Sequence, residues 1–327
     1  LDTDSAYFND DGAALVMLLR SPEKARVLGI TLVAGNLWPL QGAEYMLHVL
    51  KLLNRPELPV YIGAREPLVH TRAMAGVEAR QWGPLEFRGA FDEPDAHTRK
   101  DLKAPFGGRF SGLSVQPRSG VDYLIETLDR SPGSVTLLAI GPMTNIAMAL
   151  RLRPDIASKI KQIVFMGGNV HVPGNATRAA ELNFWFDPEA AQIVLRSSIP
   201  RKVMFGLDIC NRAKLDKSHF DQIASAGTPV TDLFREDMGN RYPGFLRKPN
   251  VHAYIWDCLA AGYLLLPDFV TKTEKAYLDV DVRFGPRYGA VIPLDRQLAP
   301  DATPIDVMLD LDFDRFFALY KQLLTRK

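Results

Sequence analysis

The chain has 327 residues, 47% of them hydrophobic and 24% charged, which is the ordinary balance of a soluble globular protein. Lys plus Arg number 39 and Asp plus Glu 38, so a strongly basic nucleic-acid surface is excluded as the default, and so is an acidic tail. No apolar run reaches the roughly 18 residues that span a bilayer, and two cysteines, Cys210 and Cys258, make neither a disulfide scaffold nor a metal-ligand spacing.

The chain opens Leu1-Asp2-Thr3 with no Met and no signal-like segment. That reads as a trimmed or processed N-terminus. The expected address is cytoplasmic, with periplasm or secretion left open. Asp2, Asp4, Asp10 and Asp11 then place four carboxylates within ten residues, directly before a helix from Ala13 to Leu19. A helix N-terminus accommodates one or two acids. Four raise one another's pKa unless a cation neutralises them. An all-oxygen donor set points to Ca²⁺ or Mg²⁺ and away from zinc.

Val27 to Val33 reads as a buried strand and ends in the turn Gly35-Asn36. Gln41 to Leu53 reads as a helix and Pro59 to Ile62 as a short strand. Val135 to Ile140 is another strand, turning through Gly141-Pro142 into a helix from about Thr144 to Leu152, with Thr144 as the expected N-cap. The carbonyl of Ile140, at that strand's end, is free to face a cation. Ile163 to Met166 is a strand, followed by the loop Gly174 to Asn183. There Asn175, Glu181 and Asn183 offer the amide and carboxylate groups that hydrogen-bond sugar hydroxyls. Pro188 to Leu195 is helical and Val203 to Gly206 is a further strand. In His252 to Leu266, Asp257 lies inside an apolar helical pattern behind Trp256; a lone Asp there needs a partner, which a cation held by the first cluster would supply.

Strands alternating with helices predict an α/β fold, an open and mostly parallel sheet with helices on both faces. Two stretches break the rhythm, Val69 to Ser119 and Ala213 to Asn250. Both read as insertions over a sheet edge, so residues 1–327 are taken as one domain. In such sheets ligands sit outside the carboxyl ends of the strands, where these polar clusters fall.

Six motifs in order resemble the nucleoside hydrolase family, calcium-dependent enzymes that cleave the N-glycosidic bond of ribonucleosides. They are Asp2-x-Asp4 with Asp10-Asp11, Val33-Ala34-Gly35-Asn36, Gly141 to Asn145, Met166-Gly167-Gly168 with Gly174 to Asn183, Asp187-Pro188-Glu189-Ala190, and Trp256-Asp257. The last resembles the Trp-Asp of the family's purine-preferring branch. The resemblance runs from Asp2 to about Asp268. It implies a Rossmann-like core and a small-molecule ribonucleoside substrate. It also implies no nucleic-acid or membrane partner, and a homodimer or homotetramer.

The resemblance also implies residue roles. Asp4 would be the general base toward the attacking water and a calcium ligand. Asp11, Asp257 and the main-chain carbonyl of Ile140 would complete the calcium site. Asp10 and Asn36 would hold the ribose 2′-hydroxyl, Asn183 and Asp257 the 3′-hydroxyl, and Asn175 and Glu181 the 5′-hydroxyl. Met166 would line the sugar face. Three departures stand out. Ser5 to Asn9 make a longer gap before the aspartate pair than the family's usual motif. Trp256 replaces the His that many members use as acid to the leaving base. Cys258 follows Asp257 where Pro or Thr is usual, and reads as packing.

With Trp256 as a stacking surface, Trp82 becomes the candidate for the second side of a purine sandwich. His252 and Tyr242 are the alternative acids. Two other classes compete. A phosphohydrolase of the haloacid dehalogenase type would use Asp2 as nucleophile, but lacks a fitting Lys and acidic pair and leaves Asp10-Asp11 unexplained. A non-catalytic ribose or nucleoside binder would use the same scaffold.

Overall fold

The computed structural model describes residues 1–241, 252–296 and 303–326. Tyr242 and most of the Pro- and Gly-broken stretch before Asn250 lie outside the described residues. Eleven strands occur among those described. They are β1 (Asp2–Thr3), β2 (Ile30–Leu32), β3 (Val60–Ile62), β4 (Val135–Ala139), β5 (Ile160–Met166), β6 (Lys202–Phe205), β7 (Lys214–Asp216), β8 (His252–Tyr254), β9 (Val270–Val280), β10 (Val291–Leu294) and β11 (Ile305–Leu311). Nine form one sheet in the order β10-β9-β11-β6-β5-β4-β1-β2-β3, and β7 with β8 make a separate antiparallel ribbon. Pairing is parallel from β3 across to β11, and antiparallel only where β9 and β10 extend the sheet.

The parallel strands are short apolar runs because both faces are covered. Alternate residues go to opposite sides. Leu138, Ile140, Val164, Met166, Val203 and Phe205 join one core, with the helices Ala13–Leu19, Pro39–Leu52, Trp256–Leu265 and Phe313–Thr325. Leu137, Ala139, Ile163, Phe165, Met204 and Val307 join the other, with Gly120–Arg130, Thr144–Leu152 and Pro188–Arg196. No helix among the described residues is long and apolar enough to cross a membrane.

Strand order decides where the site forms. The chain leaves β1 for β2 and β3 on one side, then returns to place β4, β5 and β6 on the other. The order therefore reverses between β1 and β4. At such a reversal the loops leaving the two strands diverge and open a crevice at their carboxyl ends. Asp4 leaves β1 there, and Ile140 and Gly141 leave β4.

The structure changes two local expectations. Thr144 is not the N-cap of its helix; Met143 holds that position, and the Thr144 hydroxyl instead donates to Asp187 Oδ2 at 2.6 Å. His252 belongs to β8, and the helix begins only at Trp256. The first insertion carries the helix Arg72–Gln81 and otherwise turns. It packs on the loops after β1 and β2, where the Ala90 amide donates to the Gly35 carbonyl at 2.7 Å and Trp38 Nε1 to the Glu93 carbonyl at 2.9 Å. An isolated bridge ties Gln116 to Tyr61 of the edge strand β3.

Candidate active site

Asp4 is buried between two glycines that leave room for its carboxylate. A Cβ on Gly35 would stand 2.1 Å from Asp4 Oδ2, and one on Gly141 would stand 2.8 Å from the Asp4 amide nitrogen. Asn36 orients the carboxylate: its backbone amide donates to Oδ2 at 2.6 Å and its side-chain amide to Oδ1 at 3.3 Å. Burial, and after it the Asp11 charge, hold the Asp4 carboxyl well above the usual carboxylate range, against the pull of these two donors. Ile140 is buried beside it, and its amide donates to the Asp2 carbonyl at 2.9 Å.

The acidic pair sits on a wide turn. Phe8–Gly12 is π-helical, closed by the Gly12 amide on the Tyr7 carbonyl at 3.1 Å. Such turns take up extra residues and recur at functional sites. This one brings Asp10 and Asp11 to Asp257, the second residue of the helix Trp256–Leu265. One carboxylate oxygen from each of the three lies within 4.8 Å of the others, and all three residues are buried. Asp11 is anchored by the Thr3 hydroxyl at 2.5 Å and the Ala6 amide at 2.9 Å. Burial, then the charges of Asp10, Asp11 and Asp4, push Asp257 well up. Like charges this close are stable together only if protonated or shared with a cation. The donors are all oxygen and all buried, a set suited to a hard divalent ion.

Across the crevice, Met166 ends β5 and is buried. Asn183 Nδ2 donates to its carbonyl at 3.1 Å and approaches its sulfur at 3.4 Å. Glu181 caps the helix Leu182–Phe186 and accepts the amides of Gly168 (2.8 Å), Asn183 (2.9 Å) and Phe184 (3.2 Å). Burial pushes its carboxyl to about 7, although those amides pull it down. Asn175 Oδ1 accepts the Leu182 amide at 2.8 Å. Glu181 and Asn175 thus shape this loop through their own hydrogen bonds.

The aromatic candidates lie further out. Trp256 is half-buried, with its ring 5.1 Å from that of Tyr254. Its Nε1 is buried and has no acceptor among the described residues. His252 is exposed, with Nε2 3.4 Å from the Tyr254 hydroxyl. Trp82 is 37% exposed and packs edge-on against Phe284 at 5.3 Å. Cys258 is buried and its thiol donates to the Asp10 carbonyl, in keeping with packing.

The profile of the inosine-uridine preferring nucleoside hydrolases matches residues 1–318. The chain belongs to that family. Among relatives, the hydrolase is 33% identical to a pyrimidine-specific ribonucleoside hydrolase, RihB, from Escherichia coli strain SE11, over 98% of this chain and 95% of that protein. Its structure is similar to that of a purine-preferring ribonucleoside hydrolase from Gardnerella vaginalis, with a TM-score of 0.78 and 26% identity over 99% of this chain and 96% of that one. A plant nucleoside hydrolase, PpNRh1, shares the fold with a TM-score of 0.79 at 24% identity, over 100% of this chain and 98% of that one.

Sequence reasoning about the hydrolase missed the residues that hold the site from behind. Asn145 Nδ2 donates to Asp2 Oδ1 at 2.7 Å and to the Leu32 carbonyl at 3.1 Å, while its Oδ1 accepts the Ala64 amide at 2.6 Å. One amide thereby ties the ends of β1, β2 and β3 together. Its place in the Gly141 to Asn145 motif was the available signal. Thr3 gave none, because a Thr in a strand is ordinary.

The cradle around Asp4 carries a prediction. Gly35→Ala forces a methyl into the Asp4 carboxylate and against Pro142, 2.6 Å away. The expected result is a folded protein whose kcat falls by about 10²-fold, the cost of an ångström-scale misplacement of a reacting group. Steady-state kinetics beside circular dichroism check it.

Proposed function

We propose that this chain is a calcium-dependent ribonucleoside N-ribohydrolase that favours purine nucleosides. The observation that carries the reading is the buried trio Asp10, Asp11 and Asp257, with the Asn36-held carboxylate of Asp4 beside it at the sheet's reversal point. A bound calcium would offset the negative charge there and lower the pKa of a water molecule at the site. Asp4 accepts the proton as that water adds to C1′ of the ribose. The bond from C1′ to the base nitrogen breaks, and the base leaves with the electron pair and takes a proton from solvent. The transition state resembles an oxocarbenium ion, and the surrounding carboxylates stabilise its positive charge. Asn183, Glu181 and Asn175 are proposed to hold the sugar hydroxyls beside Met166.

The purine preference rests on Trp256, whose ring directly precedes Asp257. Stacking of a base on an aromatic side chain contributes roughly 1–3 kcal/mol, and a purine offers the larger face. Trp82 is proposed as the opposite face once substrate enters. The 33% identity to a pyrimidine-specific enzyme favours a second reading, a pyrimidine preference on the same machinery. Separating free base from nucleoside after reaction with inosine or uridine decides between them. A purine enzyme has the higher kcat/KM on inosine, and Trp256→Ala lowers it by about tenfold or more. Faster cleavage of uridine by the unmodified protein overturns the stacking account and turns attention to His252.

A further inference from the structure

The lengthened gap Ser5 to Asn9 has no task in the reading above. Tyr7 lies at its centre with φ 98° and ψ −122°, and among the described residues only Asn54 shares a positive φ outside glycine. A residue with a side chain keeps such a backbone only where its surroundings over-determine it.

The surroundings of Tyr7 do so. Its ring stacks on Tyr45 at 4.1 Å and 24°, and meets the edge of His48 at 6.1 Å. Its hydroxyl oxygen accepts the Phe106 amide at 2.7 Å. Its carbonyl accepts the Gly12 amide, which closes the π turn. A Cβ on Gly12 would stand 2.7 Å from that carbonyl, so this approach needs glycine. The strap around Phe106 is itself fastened along the helix Pro39–Leu52. Arg99 pairs with Glu44 at 3.0 Å, Gln41 and Lys103 exchange two hydrogen bonds, and Lys51 reaches the Ser111 carbonyl at 2.7 Å. Tyr7 is therefore gripped from two directions by parts of the chain far from it in sequence. Its neighbours touch the acids directly: the Ala6 amide donates to Asp11 and the Asn9 side chain to Asp10 at 3.0 Å.

We propose that Tyr7 is a positioning residue for the acidic pair: the stack of Tyr45 on its ring, aided by the Phe106 amide on its hydroxyl, holds the strained turn that aims Asp10 and Asp11 at Asp257. The inference rests on the reading of that trio as a cation site. The test pairs amide hydrogen exchange of the metal-free protein with calcium titration. Tyr7→Ala frees the turn. The amides of Phe8–Gly12 then exchange faster while those of the helix Trp256–Leu265 stay protected, and the calcium Kd rises by about 10- to 100-fold, the usual consequence of losing an outer support of a metal site. Tyr7→Phe keeps the stack and loses the Phe106 hydrogen bond, so both readouts fall between Tyr7→Ala and the unmodified protein, while the strap around Phe106 exchanges faster. Tyr45→Ala removes the stack, shifts both readouts in the same direction as Tyr7→Ala, and carries the test if Tyr7→Ala does not fold. Unchanged exchange and unchanged Kd in Tyr7→Ala, or in Tyr45→Ala where that variant stands in, overturn the proposal. An unmodified protein that takes up no calcium overturns the cation reading instead, and the exchange of Phe8–Gly12 still decides the role of Tyr7.

Discussion

Asp4→Asn is expected to leave a folded protein that binds nucleoside and scarcely turns it over. The amide keeps an oxygen for the Asn36 backbone donor, and removing a buried acid held above its ordinary pKa costs the fold nothing electrostatically. It cannot accept a proton from water. General base catalysis supplies roughly 10²- to 10⁴-fold, so kcat falls by at least that much, with KM changed far less. A uniform-binding residue would show the reverse, a raised KM with kcat intact. Steady-state kinetics on inosine and uridine read the split directly. Near-normal turnover would mean that another group takes the proton.

The gathering of Asp11 with Asp257 was legible because an excess of carboxylate needs a physical remedy that sequence alone can demand; Asp10, expected at the ribose, joins that group, and Asp4, expected among the cation ligands, lies outside it. Asp257 stood out as a charge inside an apolar helical run. The strands β2, β4, β5 and β6 were legible for a related reason: strands buried on both faces must be continuously apolar, whereas β1, Asp2–Thr3, carries no such run. β9 was not, because Lys272, Glu274 and Lys275 break its run where it faces solvent. The helix Phe313–Thr325 lies beyond the last element read. β8 was hidden by its neighbour, since the apolar pattern of the helix Trp256–Leu265 was extended back over His252. Tyr7 was marked only by its place in the gap Ser5 to Asn9, with nothing to show its role. Only glycine announces a positive φ in sequence, and the contacts that hold Tyr7 come from Tyr45 and Phe106, 38 and 99 residues away.

The second large effect concerns the cation. Protein purified without chelator is expected to carry about one calcium per chain, on the proposal that the trio's all-oxygen chemistry holds a hard divalent ion. Calcium should stabilise the fold if, as proposed, it is held by the native arrangement of Asp10, Asp11 and Asp257, which the unfolded chain lacks. At a hundredfold excess over Kd the gain is about 2.7 kcal/mol, read as a rise in Tm on adding calcium to metal-free protein. Asp257→Ala should abolish that rise. Zinc in place of calcium, or a Tm indifferent to every divalent ion, would count against the site as assigned.

The central claim is that this chain hydrolyses the N-glycosidic bond of ribonucleosides with a cation held by buried aspartates. The most direct test is a reducing-sugar assay on inosine, guanosine, adenosine, uridine and cytidine, using metal-free protein before and after calcium is restored. The account predicts ribose release only after restoration, fastest from the purine nucleosides. Undiminished release from protein verified to be metal-free, or tight nucleoside binding with no ribose released from any of them in calcium, would contradict it.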